Sequence, residues 1–416
     1  MNLTPSLFAP AEFPDLPHIR GVSAATGSRG FYADRGPPRD DVFLFRFDPN
    51  TVCAGVFTQS TTASADVAWC REALKEGQGA ARALVVNSGN SNAFTGPKGE
   101  IKNAATLSAI QAALGVPKSE CFLAATGVIG EPLEDPNYVG SIVPDLAACL
   151  DVPDWQACAR AFMTTDTYPK GAGGTCQVEG VPVQLAGIAK GSGMIAPNMA
   201  TMLAYVFTDV AISAPLLQEL LAELTERTFN AITVDGDTST SDTLMVFATG
   251  QAGHPPLRQR SDPRFVAFAE ALEAVLHDLA VQIVKDGEGA SKFIKIDVEG
   301  APSQSAAKKM AAAIANSPLV KTALAASDAN WGRVVMAIGN SGVSLNQADL
   351  SIWFGDTQVA ESGARAPKYD EEKASAECQK THISLRVKVG AGTGQFTMYT
   401  CDLTHAYIDI NGAYRT

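Results

Sequence analysis

Histidine is scarce in this chain of 416 residues, and no pattern connects the few that occur. The 5 histidines lie at positions 18, 254, 277, 382 and 405, and they assemble into no convincing Ser-His-Asp set. The 8 cysteines are scattered, with no C-x-x-C pair and no spacing that a zinc site needs. We therefore expect reduced, mostly buried thiols and no bound metal.

Basic clusters and long apolar runs are also missing. The formal net charge is −12, and no run rich in Lys and Arg provides the concentrated basic face that nucleic acid requires. No apolar run is long enough to span a bilayer, and the first residues lack the charged start and apolar core of a secretory signal. We expect a cytoplasmic protein with neither nucleic acid nor membrane as a partner.

The sequence does contain alternating strand and helix patterns. Hydrophobic residues make up 46% of the chain, which is ordinary for a protein with a sizeable interior. β-Branched and aromatic residues predict strands at 42–47 and 51–57, and residues 83–87 are typical of a fully buried strand. Apolar residues at helical spacing predict helices at 66–76, 100–114, 143–150, 155–162 and 263–286, and another that has Pro215 in its first turn. Residues 362–369 are predicted to be an irregular stretch. The mixture of strands and helices predicts an α/β architecture of layered sheets and helices.

Residues 188–209 form the segment that suggests a catalytic role. A loop rich in Gly, Ser, Pro and Asn runs into an apolar strand, and Thr201 follows the small Ala200 at the junction. Attack of the Thr201 hydroxyl on the carbonyl of Ala200 would give an ester that water opens. The α-amine freed by this cleavage, with an ordinary pKa of about 8, would then serve as the base for the same hydroxyl. Taken alone, such a segment is also typical of an ordinary turn.

Nine ordered motifs give this segment a more specific interpretation. The sequence resembles the ornithine acetyltransferase family, also called glutamate N-acetyltransferase, of the arginine pathway. In that family the threonine after the small residue is both the cleavage point and the nucleophile that accepts the acyl group. The matching motifs are KGSGMIAPNMATML at 190–203, AGVFTQS at 54–60, NSGNSNAFTG at 87–96, ATGVIG at 125–130, MTTDT at 163–167, VDGDTSTSDT at 234–243, DGEGASKF at 286–293, SDANWGR at 327–333 and NGAYRT at 411–416.

The resemblance implies a role for each matching residue. Thr126 and Gly127 would form the oxyanion hole, through a hydroxyl and a backbone N–H. Glu288 would receive the cationic amine of ornithine, and the chain terminus would fold back over the substrate. The substrate-binding set implied by the resemblance is Thr164, Lys190, Thr201, Glu288, Asn411 and Thr416, with Thr165 as an alternative to Thr164.

One acidic segment looks at first like a metal-binding loop. Asp235, Asp237 and Asp242 lie in DGDTSTSD, but their spacing departs from the EF-hand pattern and lacks its terminal Glu. We interpret this segment as a structural turn. The resemblance likewise implies no metal.

The implied reaction is a ping-pong transfer of the acetyl group from N2-acetyl-L-ornithine to L-glutamate. No cofactor is required, because the amide donor and the amide product are nearly isoenergetic, and acetyl-CoA remains open as a co-substrate. The implied fold is sandwich-like and built from two fragments of one precursor. These are residues 1–200, an alpha fragment with the oxyanion hole, and residues 201–416, a beta fragment that begins with the nucleophile. The family suggests that two such heterodimers form a heterotetramer.

Two other classes of function remain open. A self-processing aminopeptidase or amidohydrolase would use the same nucleophile but give the acyl group to water. A metabolite-binding protein without activity would keep the fold and leave the chain uncut.

Overall fold

Three β-sheets organise the part of the chain that the structure describes. The computed structural model describes residues 4–34, 38–196 and 202–412, so Ala200, Thr201 and Thr416 lie outside the described residues. The strand order is β1-β2-β4-β5 in the first sheet, β3-β9-β8-β7-β6 in the second and β13-β12-β11-β14-β10-β15 in the third. The strands are β1 Val22–Gly27, β2 Val42–Phe47, β3 Val52–Phe57, β4 Ala83–Asn90, β5 Cys121–Val128, β6 Lys170–Val178, β7 Val181–Lys190, β8 Leu203–Thr208, β9 Thr243–Ala248, β10 Phe293–Ala301, β11 Ser351–Phe354, β12 Thr357–Glu361, β13 Ala364–Arg365, β14 His382–Lys388 and β15 Gly394–Cys401.

The helices begin where the sequence supplies capping groups. The Ser64 hydroxyl accepts a hydrogen bond from the backbone N–H of Val67, and Pro215 occupies the first turn of its helix. The α-helices are α1 Ala65–Glu76, α2 Pro97–Leu114, α3 Val143–Ala148, α4 Trp155–Ala161, α5 Ala214–Arg227, α6 Phe265–Lys285, α7 Gln304–Ala315, α8 Pro318–Ala325, α9 Trp331–Gly339, α10 Glu371–Gln379 and α11 His405–Asn411. No helix in the described part of the chain is long and apolar enough to cross a membrane.

The first two sheets pack face to face through a layer of aromatic rings. The ring centroids of Phe45 and Phe207 are 4.5 Å apart, and those of Phe47 and Phe247 are 4.4 Å apart, with both pairs stacked. Helices α5 and α6 cover the outer face of the second sheet, while α2 and α3 cover that of the first. This burial of apolar surface on both faces of each sheet stabilises the layered α/β arrangement that the sequence predicts.

The third sheet has an apolar core of its own. Its strands are antiparallel except for β10 and β14, which pair in parallel, and α7 packs on its inner face. All of its strands follow residue 201 in the chain. The second sheet, by contrast, combines β3, β6 and β7, which precede residue 201, with β8 and β9, which follow it.

The predicted elements agree with the structure apart from their ends. The strand predicted at 42–47 has the observed bounds, while the helix predicted from residue 100 already begins at Pro97 and the one predicted to residue 150 ends at Ala148. The predicted irregular stretch at 362–369 contains the short strand β13. All eight cysteines lie within the described residues and are unpaired there, and six of them are buried, in agreement with the prediction that they are mostly buried.

Candidate active site

A cavity of about 420 Å³ opens where the first two sheets end. The position follows from the strand registers: β7 ends at Lys190, which pairs with Leu203 at the start of β8, and Thr126 lies near the end of β5. Six residues of the predicted site lie within the described ranges, and all six line this cavity: Thr126, Gly127, Thr164, Lys190, Glu288 and Asn411. Thr165, the alternative to Thr164, lines it as well.

The segment predicted as the oxyanion hole is held against strand β4. Gly127 has a φ of 132°, which residues with side chains rarely adopt, and a Cβ there would lie 2.5 Å from the carbonyl carbon of Gly89. Glycine at this position therefore lets β5 stay close to its neighbour. Thr126 is buried beside it, and its hydroxyl lies 3.4 Å from the Lys190 ammonium nitrogen.

Lys190 is buried, although an isolated lysine in a sequence is ordinarily exposed. Burial lowers the pKa of its ammonium group, and the carboxylates of Asp166 and Glu288 oppose that shift. The salt bridges found among the described residues do not include Lys190. A buried, incompletely compensated cation at a cavity wall is suited to hold an anionic group of a ligand.

A buried ion-pair network fixes the loops around Lys190. The Lys170 ammonium lies 2.6 Å from a carboxylate oxygen of Asp166 and 2.6 Å from one of Asp286, and all three side chains are fully buried. The same Asp166 carboxylate accepts hydrogen bonds from the backbone N–H of Gly191 at 2.6 Å and of Thr164 at 3.0 Å. The network therefore joins three segments of the cavity wall. Its three residues are not among those predicted for the site from the sequence.

Glu288 is the principal acidic group of the cavity. It is buried, and its side-chain oxygen Oε2 accepts a hydrogen bond of 2.7 Å from the Asn411 amide. Its backbone N–H donates to the carbonyl of Ser192, and the Ser192 hydroxyl is 2.7 Å from that of Thr165. A Cβ on Gly193 would lie 2.4 Å from the Glu288 carboxyl carbon, so a side chain at this position would displace the carboxyl group. Burial raises the pKa of Glu288.

The acidic segment predicted to be a structural turn does cap backbone groups. The Asp235 carboxylate accepts hydrogen bonds from the backbone N–H of Met194 at 2.6 Å and of Ile195 at 2.9 Å. It also accepts one of 3.2 Å from the Tyr407 hydroxyl, which links α11 to the loop before Thr201. These contacts agree with the structural interpretation. No cluster of His, Cys, Asp and Glu side chains suited to a metal ion occurs in residues 4–34, 38–196 and 202–412.

Asp242 is a further buried carboxyl whose position the sequence did not reveal. It accepts a hydrogen bond of 2.8 Å from the backbone N–H of Met202, the residue after the predicted nucleophile. Burial raises its pKa well above the ordinary value. Its second oxygen has no hydrogen-bond partner among the residues that the structure describes. The Asp242 carboxyl group therefore contacts the residue that directly follows Thr201 in the chain.

Comparison with other proteins gives one consistent result. Residues 24–416 match the model of the ArgJ family. The chain is 50% identical over 419 residues to the "Arginine biosynthesis bifunctional protein ArgJ" of Rhizobium meliloti, and 50% identical over 419 residues to the protein of the same name from Bradyrhizobium diazoefficiens, with 100% of each chain covered. A crystal structure of the Bacillus halodurans protein of that name is 40% identical, with a TM-score of 0.48, and the match covers 50% of this chain and 96% of that one.

Proposed function

The chain belongs to the ArgJ family, and from this premise we propose that it transfers the acetyl group of N2-acetyl-L-ornithine to L-glutamate in arginine biosynthesis. Thr201 is the proposed nucleophile, freed by cleavage after Ala200. The observation that supports this proposal best is the common cavity. The cavity is lined by Thr126, Lys190 and Glu288, which come from three separate motifs of the sequence. It lies beside strand β8, which begins two residues after Thr201.

The proposed chemistry needs only groups of the protein and its two substrates. The α-amine of Thr201 takes the proton of its own hydroxyl while the oxygen attacks the acetyl carbonyl. Thr126 and Gly127 stabilise the resulting oxyanion, and its collapse expels ornithine, whose amine receives the proton. The amine of glutamate then attacks the acetyl-threonine, the ester bond to the Thr201 oxygen breaks, and a proton from the attacking amine returns to that oxygen through the α-amine of Thr201, which releases N-acetyl-L-glutamate. The cation of Lys190 and the carboxyl of Glu288 hold the two ends of each amino acid.

The two fragments of this proposal, residues 1–200 and 201–416, share one sheet. Strand β7 pairs with β8 along six residues, and β3 pairs with β9 along six more, so both pairings join residues from opposite sides of the cleavage site. Backbone hydrogen bonds and the aromatic layer would therefore keep the fragments associated. We further propose that two such pairs form a heterotetramer in the cytoplasm and that no cofactor is required.

Release of ornithine is expected to depend on glutamate. With N2-acetyl-L-ornithine as donor, initial rates measured at several fixed glutamate concentrations should give the parallel double-reciprocal lines of a ping-pong reaction. A self-processing hydrolase would instead release ornithine and acetate at the same rate without glutamate, which would refute the transferase proposal. Acetyl-CoA is the candidate second donor, and replacing the donor in the same assay tests it.

Replacing Thr126 with alanine is expected to lower kcat by about 10²–10³-fold, the usual cost of losing one oxyanion donor. The KM for N2-acetyl-L-ornithine should change much less, because the lost hydrogen bond forms in the transition state. Thr126→Ser keeps the hydroxyl and is the matched control, expected to stay within roughly tenfold of the wild-type kcat. Equal kcat values for the alanine variant and the wild type would show that Thr126 holds no oxyanion.

A further inference from the structure

The proposed reaction requires one cavity to accept two side chains of opposite charge, and the inference drawn from this requirement rests on the proposed function. In a ping-pong reaction through one nucleophile, the α-nitrogen of each amino acid occupies the same place next to Thr201. The side chains of ornithine and glutamate then extend into the same region of the cavity of about 420 Å³. One ends in an ammonium group and the other in a carboxylate.

The charges that line the cavity favour only the ammonium group. Lys190 is the one cationic side chain among the described lining residues, and its nitrogen lies 3.4 Å from Thr126, at the end where the acetyl group reacts. Asp235, Asp237 and Glu288 also line the cavity. A side-chain carboxylate next to an ionised Glu288 would therefore meet like charge, and the described lining offers it no cation besides Lys190.

Glu288 is the lining carboxyl best placed to change its protonation state. Its carboxylate accepts a hydrogen bond of 2.7 Å from a neutral group, the amide of Asn411. Burial also raises the pKa of Asp235, but its carboxylate accepts backbone N–H groups at 2.6 and 2.9 Å and the Tyr407 hydroxyl at 3.2 Å, and these hydrogen bonds favour the ionised form. Burial raises the pKa of Glu288, Asp235 raises it further, and Asn411, Thr165 and Lys190 oppose the shift.

We propose that Glu288 is ionised when it binds the ammonium group of ornithine and protonated when it binds the side-chain carboxylate of glutamate. In the second state its O–H donates a hydrogen bond to that carboxylate, as two close carboxyl groups that share one proton do. The proton enters from solvent with glutamate and leaves before the next molecule of N2-acetyl-L-ornithine binds. The amide of Asn411 donates a hydrogen bond to Glu288 in either state.

Proton uptake on binding tests this inference directly. Titration calorimetry of the wild-type enzyme at pH 7.5, in two buffers with different ionisation enthalpies, gives the number of protons taken up with each ligand. We expect L-glutamate to take up about one proton more than L-glutamine or L-ornithine. Glutamine is the matched control, because it has the length of glutamate and a neutral end. A proton that Lys190 takes up from solvent when the shared α-carboxylate binds beside it would contribute equally to all three ligands.

The Glu288→Gln variant provides a second test. Its side-chain amide is neutral and donates hydrogen bonds, like a protonated carboxyl group. We expect the dissociation constant for ornithine to rise roughly 30-fold or more, that for glutamate to stay within about threefold of the wild type, and the additional proton uptake to vanish. Equal uptake for glutamate and glutamine in the wild type would overturn the inference and leave acetyl transfer standing. If neither ornithine nor glutamate bound, the proposed function would fail and the inference would fail with it.

Discussion

A Thr201→Ala variant is expected to remain one uncut chain and to lose acetyl transfer by at least about 10⁴-fold. The same hydroxyl is proposed to attack the carbonyl of Ala200 during cleavage and the acetyl group during turnover, so its removal stops both reactions. A denaturing gel with the intact mass of each band measures the cleavage. Release of ornithine in the presence of glutamate measures the transfer.

The matched control is Thr201→Ser, which keeps a hydroxyl and its neighbouring α-amine. This variant should still produce two polypeptides and retain measurable transfer, because serine lacks only the methyl group. Two bands from the alanine variant would show that another residue cleaves the chain. An uncut wild-type protein that binds both amino acids without reacting would instead favour a metabolite-binding protein.

A Lys170→Met variant is expected to lose roughly 3–5 kcal/mol of unfolding free energy, the usual cost of removing one partner from a buried ion pair. The substitution leaves Asp166 and Asp286 facing each other without their shared cation, and both are fully buried. Because Asp166 also holds the backbone of Gly191 and Thr164, transfer activity should fall as well. Urea titration of uncut chains in the Thr201→Ala background measures the stability without dissociation of fragments.

Arg227→Met is the matched control for this substitution. Arg227 also pairs with two carboxylates, those of Glu223 and Glu273, but its side chain is 42% exposed. Its replacement is expected to cost at most about 1 kcal/mol, because solvent screens exposed ion pairs. Similar losses for the two variants would mean that burial does not strengthen the Lys170 network.

The loss caused by Lys170→Met should also depend on pH. Burial opposes the ionisation of Asp166, but the nearby cations Lys170 and Lys190 hold its pKa well below the ordinary 3.8. A carboxyl group with a lowered pKa contributes stability above its ordinary pKa, and this stability disappears as the pH falls through the folded value. The difference between wild type and variant should therefore be full at pH 7 and shrink below the ordinary aspartate pKa.

Much of the secondary structure could be predicted, because the pattern of residues within a short segment favours either a helix or a strand. The β-branched and aromatic residues of strand β2 and the apolar periodicity of helix α6 predicted positions that agree with the structure to within two residues. Strand β13 is two residues long and fully exposed, so it offers no such periodicity, and its segment was predicted to be irregular. The order of the strands within each sheet also went unpredicted, since it depends on pairings between distant residues.

The features of the site likewise fall into those that short motifs predicted and those that depend on contacts between distant residues. Thr126, Lys190 and Glu288 were predicted because each lies in a short motif of the family that the sequence resembles, and the structure places all three in one cavity. The burial of Lys190 had no local signal, because it results from the packing of sheets remote in sequence. The network of Lys170 was missed for a related reason: Asp286 lies 116 residues away, and only its presence in the DGEG motif suggested a role.

The mass of the polypeptide that follows the cleavage site tests Thr201 as the acyl carrier most directly. After incubation with N2-acetyl-L-ornithine alone, we expect this polypeptide to begin at Thr201 and to carry one acetyl ester, which the addition of glutamate removes. Release of ornithine with no acetyl group on this polypeptide, or a polypeptide that begins at any other residue, would contradict the proposed nucleophile.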